Sequence, residues 1–478
     1  MNSTSAYLTI LLSVCFSLAV SAQTLVSISY KGQRSQEVLT QQYGFLIQNG
    51  VELWKITYTT PDVFNQLDTA SGLLILPVRD ETTIYPTLIY QHGTVDGPQD
   101  VPSNLQGGYQ LGLVFGGLGY VTLAPDYLGA GTSRGFHPYV HAASEASAAV
   151  DMLRAVRGYA SQIDLLLNDQ LFVTGYSQGG HASMALHRAL ELELADEFDL
   201  TAASHMSGPY SISGVMRELM VSEEPYNFLA YLPNTYLSYN YVYDFYDDLE
   251  QFFKPAYTTA IRNFYEGNIG LGALNNFLIT NLTNEYGAPI ARYMLQDSIV
   301  TILEEADPNH PVIEALANND TYEWAPQQPT RILYCTADDQ VKYRNSIVAD
   351  SVMQALGAVD LITFDVNPTA DHGGCVEPAV IQTALFFNSF ADWTVDTREI
   401  GDDLAVRVFP NPVREKLQIY DLQEAAEVRM LNQQGQLVLF KELSAGQQEL
   451  MINTLTPGIY WLQIRTQSGQ AVRKMIVE

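Results

Sequence analysis

The sequence predicts an α/β protein with a mostly parallel sheet, helices on both faces, an inserted cap and a small C-terminal all-β sandwich. From about residue 55 to 394, short apolar runs bounded by turn residues alternate with helical patterns. A tyrosine-rich stretch interrupts this alternation. Short alternating strands with no convincing helix fill the last 75 residues or so. The 478 residues exceed the usual size of one hydrophobic core, so we expect more than one domain.

Each predicted strand is a short apolar run between turn residues, as expected for strands buried on both faces. In chain order they are Leu73–Pro77, Thr87–Gln91, Tyr120–Pro125, Leu171–Gly175, Arg331–Cys335 and Leu361–Val366. The helical patterns between or after them are Ala142–Tyr159, Gly180–Glu193, Asn345–Leu356 and Pro378–Trp393. Strands that alternate with helices favour parallel pairing through crossover connections.

The remaining segments define the predicted domain boundaries. Residues 23–395 are expected to form the α/β domain, with an insertion at about 207–328 that is rich in tyrosine. This insertion is either a helical excursion with its own aromatic core or a cap over a binding cleft, and both can hold together. Residues 396–403 read as a linker and 404–478 as the β-sandwich, with turns at Asn432–Gln436, Pro457–Gly458 and Ser468–Gly469.

The charge balance limits the classes of partner. Lysine and arginine number 24 against 53 acidic residues, which gives a net charge of −29. This balance argues against a nucleic-acid partner and against binding to anionic lipid through a basic surface. The apolar run Leu8–Val20 and the small residues before Gln23 predict a signal peptide over 1–22, although no basic residue precedes the run. Lipoprotein processing at Cys15 is the alternative. No transmembrane segment is predicted elsewhere.

The strongest chemical signal is the run from Leu171 to His181, in which an apolar strand enters Gly-Tyr-Ser-Gln-Gly and a helix follows. This arrangement is typical of a nucleophile elbow, where a strained turn exposes a serine beside a helix N-terminus. We therefore predict Ser177 as the nucleophile.

A serine needs a base, and in folds with this turn the acid and then the histidine follow the serine along the chain. His372, in the loop after the last predicted strand, is the histidine that satisfies this order. Asp338 follows the preceding strand and is the predicted acid, with Asp339 as its rival. For the oxyanion hole we predict the backbone N–H groups of Gln178 and Thr94, although Thr94 could instead belong to an ordinary strand-end turn.

Two cysteines remain if the signal peptide is removed. Cys335 lies three residues before Asp338, and Cys375 lies three residues after His372. If the acid and the base meet, these cysteines are neighbours, so we expect either a Cys335–Cys375 disulfide or two buried thiols.

Several motifs together resemble the α/β-hydrolase superfamily, in particular its secretory lipase and esterase branch, over about residues 50–395. They are Tyr58–Asp62, Ala70–Gly72 with Pro77, His92–Thr94, Asp126–Gly131 and Gly175–Gly180. The resemblance implies the α/β-hydrolase fold and hydrolysis of carboxylic esters through an acyl-enzyme. The same superfamily contains serine peptidases, so these motifs specify the mechanism more closely than the substrate.

The C-terminal part resembles the type A sorting domain of the type IX secretion system of Bacteroidota. The matching residues are Phe409–Pro412, Gly435, Gly458–Tyr460 and Val472–Val477. The resemblance implies export by the type IX machinery, then tail cleavage with surface attachment or release. A carbohydrate-binding or adhesive sandwich is the alternative interpretation.

These observations predict a secreted or surface-located serine hydrolase acting on a small-molecule or lipid ester, with no metal or organic cofactor. A secreted serine peptidase is the first alternative. For it, Glu223 and Glu224 are weak candidates for binding a substrate amine. The second alternative is a surface binding protein built on an inactive hydrolase fold.

Overall fold

The computed structural model describes residues 24–44, 46–78, 83–163, 165–393, 404, 406–432, 436–466 and 468–477. The predicted signal peptide (1–22, with Cys15), the predicted linker (396–403) and Gly435 lie outside the described residues. The chain divides into two compact units, residues 1–394 and 395–478.

The larger unit is built on one nine-stranded sheet. Its strands are β1 (Leu25–Arg34), β2 (Gly50–Pro61), β3 (Leu67–Val78), β4 (Tyr85–Gln91), β5 (Val121–Pro125), β6 (Leu167–Tyr176), β7 (Ala202–Met206), β8 (Thr330–Tyr334) and β9 (Leu361–Asp365). They lie in the order β1-β2-β3-β5-β4-β6-β7-β8-β9. In this spatial order, the first four strands (β1, β2, β3 and β5) pair antiparallel. The strands from β5 through β4, β6, β7 and β8 to β9 pair parallel. The mostly parallel sheet predicted from the sequence is thus observed.

The helices are α1 (Gln36–Tyr43), α2 (Tyr109–Leu118), α3 (Ala142–Tyr159), α4 (Gln178–Leu192), α5 (Arg217–Val221), α6 (Tyr231–Tyr243), α7 (Pro255–Tyr265), α8 (Leu271–Tyr286), α9 (Asp297–Glu305), α10 (Pro311–Ala317), α11 (Arg344–Leu356) and α12 (His372–Asn388). Strand β6 shows how they cover the sheet. Its Leu171 and Val173 pack with α3 and α4, whereas Phe172 between them packs with α2 and α12. No helix among the described residues is long and apolar enough to cross a membrane.

Three strands were not predicted. Strands β1 and β2 are long and antiparallel, and their polar residues alternate with apolar ones, so they lack the continuous apolar run used to find buried strands. Strand β7 is buried along its whole length, yet it reads Ala-Ala-Ser-His-Met and carries small and polar side chains. Its position in the middle of the sheet determines its burial.

Two predicted helices start earlier than expected, and the second also ends earlier, at Asn388 rather than at Trp393. Helix α4 begins at Gln178 rather than at Gly180, directly after the predicted nucleophile. Helix α12 begins at His372 rather than at Pro378, so the predicted base is the first residue of a helix and not part of a loop. Asp371 caps this helix through a hydrogen bond from the Gly374 N–H, and Pro378 lies within it. The cap residue, rather than the proline, therefore determines where α12 starts.

The insertion between β7 and β8 is helical and contains α5 to α10. It has an apolar core of its own, with Phe253, Ile261, Leu274 and Met294 fully or almost fully buried. Tyr236 joins this core and packs against the Phe252 ring at a centroid distance of 4.1 Å. We call this segment the cap.

The smaller unit consists of antiparallel strands in two sheets. They are β10 (Arg407–Phe409), β11 (Lys416–Leu422), β12 (Ala426–Leu431), β13 (Leu437–Leu443), β14 (Gly446–Met451), β15 (Gly458–Arg465) and β16 (Gln470–Val477). One sheet has the order β10-β11-β14 and the other β13-β12-β15-β16. Leu417 and Ile419 of the first sheet share an apolar core with Val428 and Leu462 of the second. This is the antiparallel sandwich that the sequence predicts.

Candidate active site

Ser177 lies on the turn that joins β6 to α4. Its backbone has φ 61° and ψ −123°, a conformation that a residue with a side chain seldom adopts. The glycines two residues away on either side allow this turn. A Cβ atom on Gly175 would lie 2.0 Å from the Gly179 carbonyl oxygen, and one on Gly179 would lie 2.0 Å from the Gln91 carbonyl oxygen. The glycines of the motif are therefore required by close backbone approach.

The backbone around Ser177 is held by the neighbouring strand. The Ser177 N–H donates to the Met206 carbonyl oxygen at 3.0 Å, at the end of β7. The Ser177 side chain is almost buried and makes no hydrogen bond to another described residue. It lies directly before the N-terminus of α4, where a developing negative charge is stabilised.

The structure brings Asp338 and His372 together. Asp338 Oδ2 lies 2.7 Å from His372 Nδ1, and both side chains are almost completely buried. The other carboxylate oxygen of Asp338 accepts the N–H groups of Gln340 (3.0 Å) and Val341 (2.8 Å), which hold the carboxylate in its turn. Because a carboxylate accepts, Nδ1 carries the hydrogen and Nε2 of the neutral ring is left as an acceptor. Nε2 makes no hydrogen bond within the described residues.

Two contacts place His372 beside the serine turn. The Tyr176 hydroxyl donates to the His372 carbonyl oxygen at 2.5 Å, and the two rings lie 4.9 Å apart between centroids. Asp339, the rival acid, accepts the His372 backbone N–H at 3.1 Å and does not contact the ring. Asp338 and Asp339 thus hold different parts of the same histidine.

Cys335 and Cys375 form a disulfide. Both residues are fully buried. Cys335 follows β8 and precedes the Asp338 turn, and Cys375 lies one turn into α12 after His372. The bridge therefore connects the segments that carry the predicted acid and the predicted base.

The loop after β4 lies against Ser177, since a Cβ atom built on Gly93 would be 3.7 Å from Ser177 Cβ. Neither the Thr94 nor the Gln178 backbone N–H donates to a protein acceptor among the described residues. The Thr94 hydroxyl lies 3.1 Å from the Tyr139 hydroxyl. Both N–H groups therefore have no protein acceptor among the described residues, which is a requirement for oxyanion-hole donors.

His92, in the same loop, is buried, and its ring packs on Tyr127 at 4.2 Å between centroids. Burial lowers the pKa of His92 to about 4, so the ring is neutral at ordinary pH. Asp126 is also fully buried. It accepts the Ser71 hydroxyl at 2.6 Å and the Ser103 N–H at 2.9 Å. Both residues contribute to loop structure.

An apolar pocket opens beside Ser177 and Gln178. Most of its wall comes from the cap. The lining side chains include Ile212, Met216, Leu219, Met220, Tyr226, Tyr231 and Leu232. Tyr226 and Tyr231 also tie the cap to the Asp338 turn, because their hydroxyls donate to the main-chain and side-chain oxygens of Gln340 at 2.8 and 2.9 Å. The insertion is thus both a helical unit with its own core and a wall of the pocket.

Glu223 and Glu224 do not line this pocket. Glu223 lies 3.3 Å from Arg292 and accepts the Tyr293 hydroxyl at 2.6 Å. Glu224 lies 3.0 Å from Lys342. Both carboxylates are engaged at the surface of the cap.

Glu145 and His181 form a buried pair next to Gln178 that the sequence analysis did not single out. Both side chains are completely buried, and Glu145 Oε2 lies 2.8 Å from His181 Nδ1. The sequence of α3 does contain a sign of this buried carboxylate. Glu145 precedes Ala149, Met152 and Val156 by four, seven and eleven residues, so an acid lies on the apolar face of this helix.

Comparison with known proteins supports a division into two parts. Residues 407–478 match the family model described as a secretion system C-terminal sorting domain. A search of curated protein sequences returned no match.

Several solved structures resemble the larger unit. A Legionella pneumophila protein described provisionally as a hydrolase is 25% identical, with a TM-score of 0.68, over 77% of this chain and 98% of its own. The rice cell wall degrading esterase LipA from Xanthomonas oryzae is 25% identical, with a TM-score of 0.64, over 75% of this chain and 95% of its own. Candida antarctica lipase A is 15% identical, with a TM-score of 0.55, over 73% and 77%; at that identity it supports the fold alone. The chain therefore joins a unit with the α/β-hydrolase fold to a C-terminal secretion sorting domain.

Proposed function

We propose that the protein is a secreted serine hydrolase that cleaves carboxylic esters through an acyl-enzyme. The observation that carries this proposal is the Asp338–His372 hydrogen bond of 2.7 Å beside the strained serine turn. It leaves Nε2 of the histidine as an acceptor, which is the role of a general base.

In the proposed acylation step, the Ser177 hydroxyl attacks the carbonyl carbon of the ester, and His372 Nε2 takes the hydroxyl proton. The carbonyl oxygen becomes an oxyanion and accepts the N–H groups of Thr94 and Gln178. His372 then gives its proton to the leaving alcohol, and Asp338 stabilises the imidazolium while the proton is in transit. Water, activated by the same histidine, releases the acid and restores the serine.

The pocket favours an ester with an apolar acyl or alcohol group over a peptide. Its walls near Ser177 are aliphatic, methionine and tyrosine side chains, which suit an apolar chain. The two acids considered for binding a substrate amine are engaged by cations elsewhere. The likeness to the LipA esterase, at 25% identity, supports the same substrate class.

The C-terminal domain indicates a secreted or cell-surface protein. We further propose that a signal peptide ending at Ala22 directs the first export step and that the type IX machinery recognises residues 404–478. Residues 396–403 would then connect the two units as a linker.

The direct test compares wild-type enzyme with Ser177→Ala on p-nitrophenyl esters of short and long acyl chains and on aminoacyl p-nitroanilides. We expect ester turnover by the wild type, a loss of about 10⁴-fold or more in kcat in the variant, and little anilide turnover. Turnover of anilides alone would make the protein a peptidase. Equal activity of wild type and variant would remove Ser177 from the mechanism.

A further inference from the structure

Gln178 supplies a backbone N–H donor to the proposed oxyanion hole, and its side chain is held by hydrogen bonds to neighbouring residues. The side-chain amide nitrogen donates to Glu145 Oε1 at 2.8 Å and to His137 Nε2 at 2.9 Å. Its carbonyl oxygen is buried and has no hydrogen-bond partner among the described residues. The position of the side chain therefore depends on two contacts through one nitrogen.

The acceptor role of His137 follows from its other ring nitrogen. His137 Nδ1 lies 2.9 Å from the Leu128 carbonyl oxygen, and a carbonyl only accepts, so Nδ1 carries the hydrogen. Burial lowers the pKa of His137 to about 4, which keeps the ring neutral. Nε2 can then accept from Gln178.

Glu145 is itself held by His181. The two ring nitrogens of His181 lie 2.8 Å from Glu145 Oε2 and 2.8 Å from the Asn319 carbonyl oxygen. Both oxygens of the Glu145 carboxyl group are therefore hydrogen-bonded, Oε2 to His181 and Oε1 to Gln178. A buried polar side chain is stable only when it is partnered in this way.

We propose that Glu145, hydrogen-bonded to His181, is a positioning residue that fixes Gln178 and thereby aims its backbone N–H at the oxyanion. This inference rests on the proposed ester hydrolysis. Glu145 lies on α3, whereas Gln178 and His181 lie one helical turn apart at the start of α4. The pair therefore fastens the first turn of α4, which carries the Gln178 N–H, to the helix beside it.

A second histidine–carboxylate pair on α4 provides a matched control. His187 Nε2 lies 2.8 Å from Glu191 Oε1, and both side chains are buried or nearly so. This pair lies toward the end of the helix and makes no contact with Gln178. Losing its carboxylate disturbs α4 without touching the oxyanion donor.

The experiment measures kcat, KM and the thermal unfolding midpoint of the full chain on a p-nitrophenyl ester, for wild type, Glu145→Leu, Glu145→Gln and Glu191→Leu. We expect Glu145→Leu to lower kcat by about 10-fold or more with KM within about twofold, since loss of one oxyanion donor costs about 10²–10³ in kcat. Glu145→Gln keeps an acceptor for Gln178 and should recover most of the loss. Glu191→Leu should lower the unfolding midpoint and leave kcat within about twofold.

Gln178→Met tests the same claim if Glu145→Leu does not fold. Methionine retains the backbone N–H and removes both side-chain contacts, so kcat should again fall with little change in KM. If kcat of Glu145→Leu or Gln178→Met matches that of Glu191→Leu, the inference is wrong while the ester hydrolase stands. If the wild type does not hydrolyse esters, the proposed function fails, and the inference fails with it.

Discussion

The Asp338–His372 and Glu145–His181 pairs both lie in the larger unit, and they differ in how the second ring nitrogen is used. In Asp338–His372 the carboxylate holds Nδ1, and Nε2 makes no hydrogen bond among the described residues. In Glu145–His181 both ring nitrogens are hydrogen-bonded. A nitrogen without a protein partner can exchange a proton with a substrate, whereas a ring bound on both sides is fixed. The first pair is suited to chemistry and the second to positioning.

The largest loss of kcat should come from removing His372, whose Nε2 has no hydrogen-bond partner among the described residues. We expect His372→Ala to reduce kcat on p-nitrophenyl esters by about 10⁴-fold or more, because the serine loses its base. His310→Ala is the control, since the His310 side chain caps α10 by accepting the Val312 N–H, and it should leave kcat within about twofold. Comparable losses in both variants would remove the distinction between these histidines.

The two acids of the Asp338 turn should differ next. Asp338→Asn keeps the shape but favours the wrong tautomer of His372, so we expect a loss of about 10³–10⁴ in kcat. Asp339 accepts the His372 backbone N–H rather than a ring N–H, and Asp339→Asn should cost about 10-fold or less. The reverse order in measured kcat would make Asp339 the acid.

Loss of the Cys335–Cys375 disulfide should lower the free energy of unfolding of the larger unit. The bridge spans 40 residues, and a crosslink of that length contributes about 3–4 kcal/mol through the unfolded chain. Urea unfolding of the Cys335→Ser/Cys375→Ser double variant against wild type measures this. An unchanged free energy of unfolding, or alkylation of both thiols in the unreduced wild type, would contradict it.

Two further buried histidines should make stability depend on pH. Burial lowers the pKa of His92 and of His137 to about 4, against an ordinary value of about 6.5. The unfolded chain then binds more protons between these values, so stability is fully present above about pH 6.5 and is lost as the pH falls toward 4. Each histidine contributes on the order of 3 kcal/mol to the total change in the free energy of unfolding across this window. His92→Gln should flatten the pH dependence of the unfolding free energy in that window; an unchanged slope would show that His92 is protonated in the folded state.

The smallest effect on catalysis should come from the sorting domain. Its apolar core is formed by its own two sheets, and both histidine pairs lie in the larger unit. A chain ending at residue 394 should keep kcat within about twofold and lose export by the secretion machinery. A large fall in kcat in a folded, truncated protein would show that the second unit contributes to the site.

Chain order and strand ends could be read from the sequence, and side-chain networks could not. Ser177, Asp338 and His372 each follow a strand of the parallel sheet, and such strand ends meet at one edge, so their juxtaposition was predictable. Glu145 is different, because it lies within a helix. Its partner His181 precedes the predicted acid in the chain, so the expected order of serine, acid and histidine excluded it as the base. Only the packing of α3 against α4 brings the two together.

The same contrast holds for the fold. Strands β4, β6 and β8 carry apolar runs and were found, whereas β7 owes its burial to its neighbours and carries a serine and a histidine. The start of α12 depends on the N-cap residue Asp371. From the sequence, Pro378 was instead predicted as the first residue of this helix. Local patterns therefore predicted the architecture, and tertiary contacts determined the exceptions.

An acyl-enzyme on Ser177 can be detected by quenching the enzyme during turnover of a p-nitrophenyl ester and mapping the acylated peptide by mass spectrometry. We expect an adduct of the acyl mass on Ser177, which is lost in Ser177→Ala. Active hydrolysis with no adduct on Ser177, or with an adduct on another residue, would contradict this expectation.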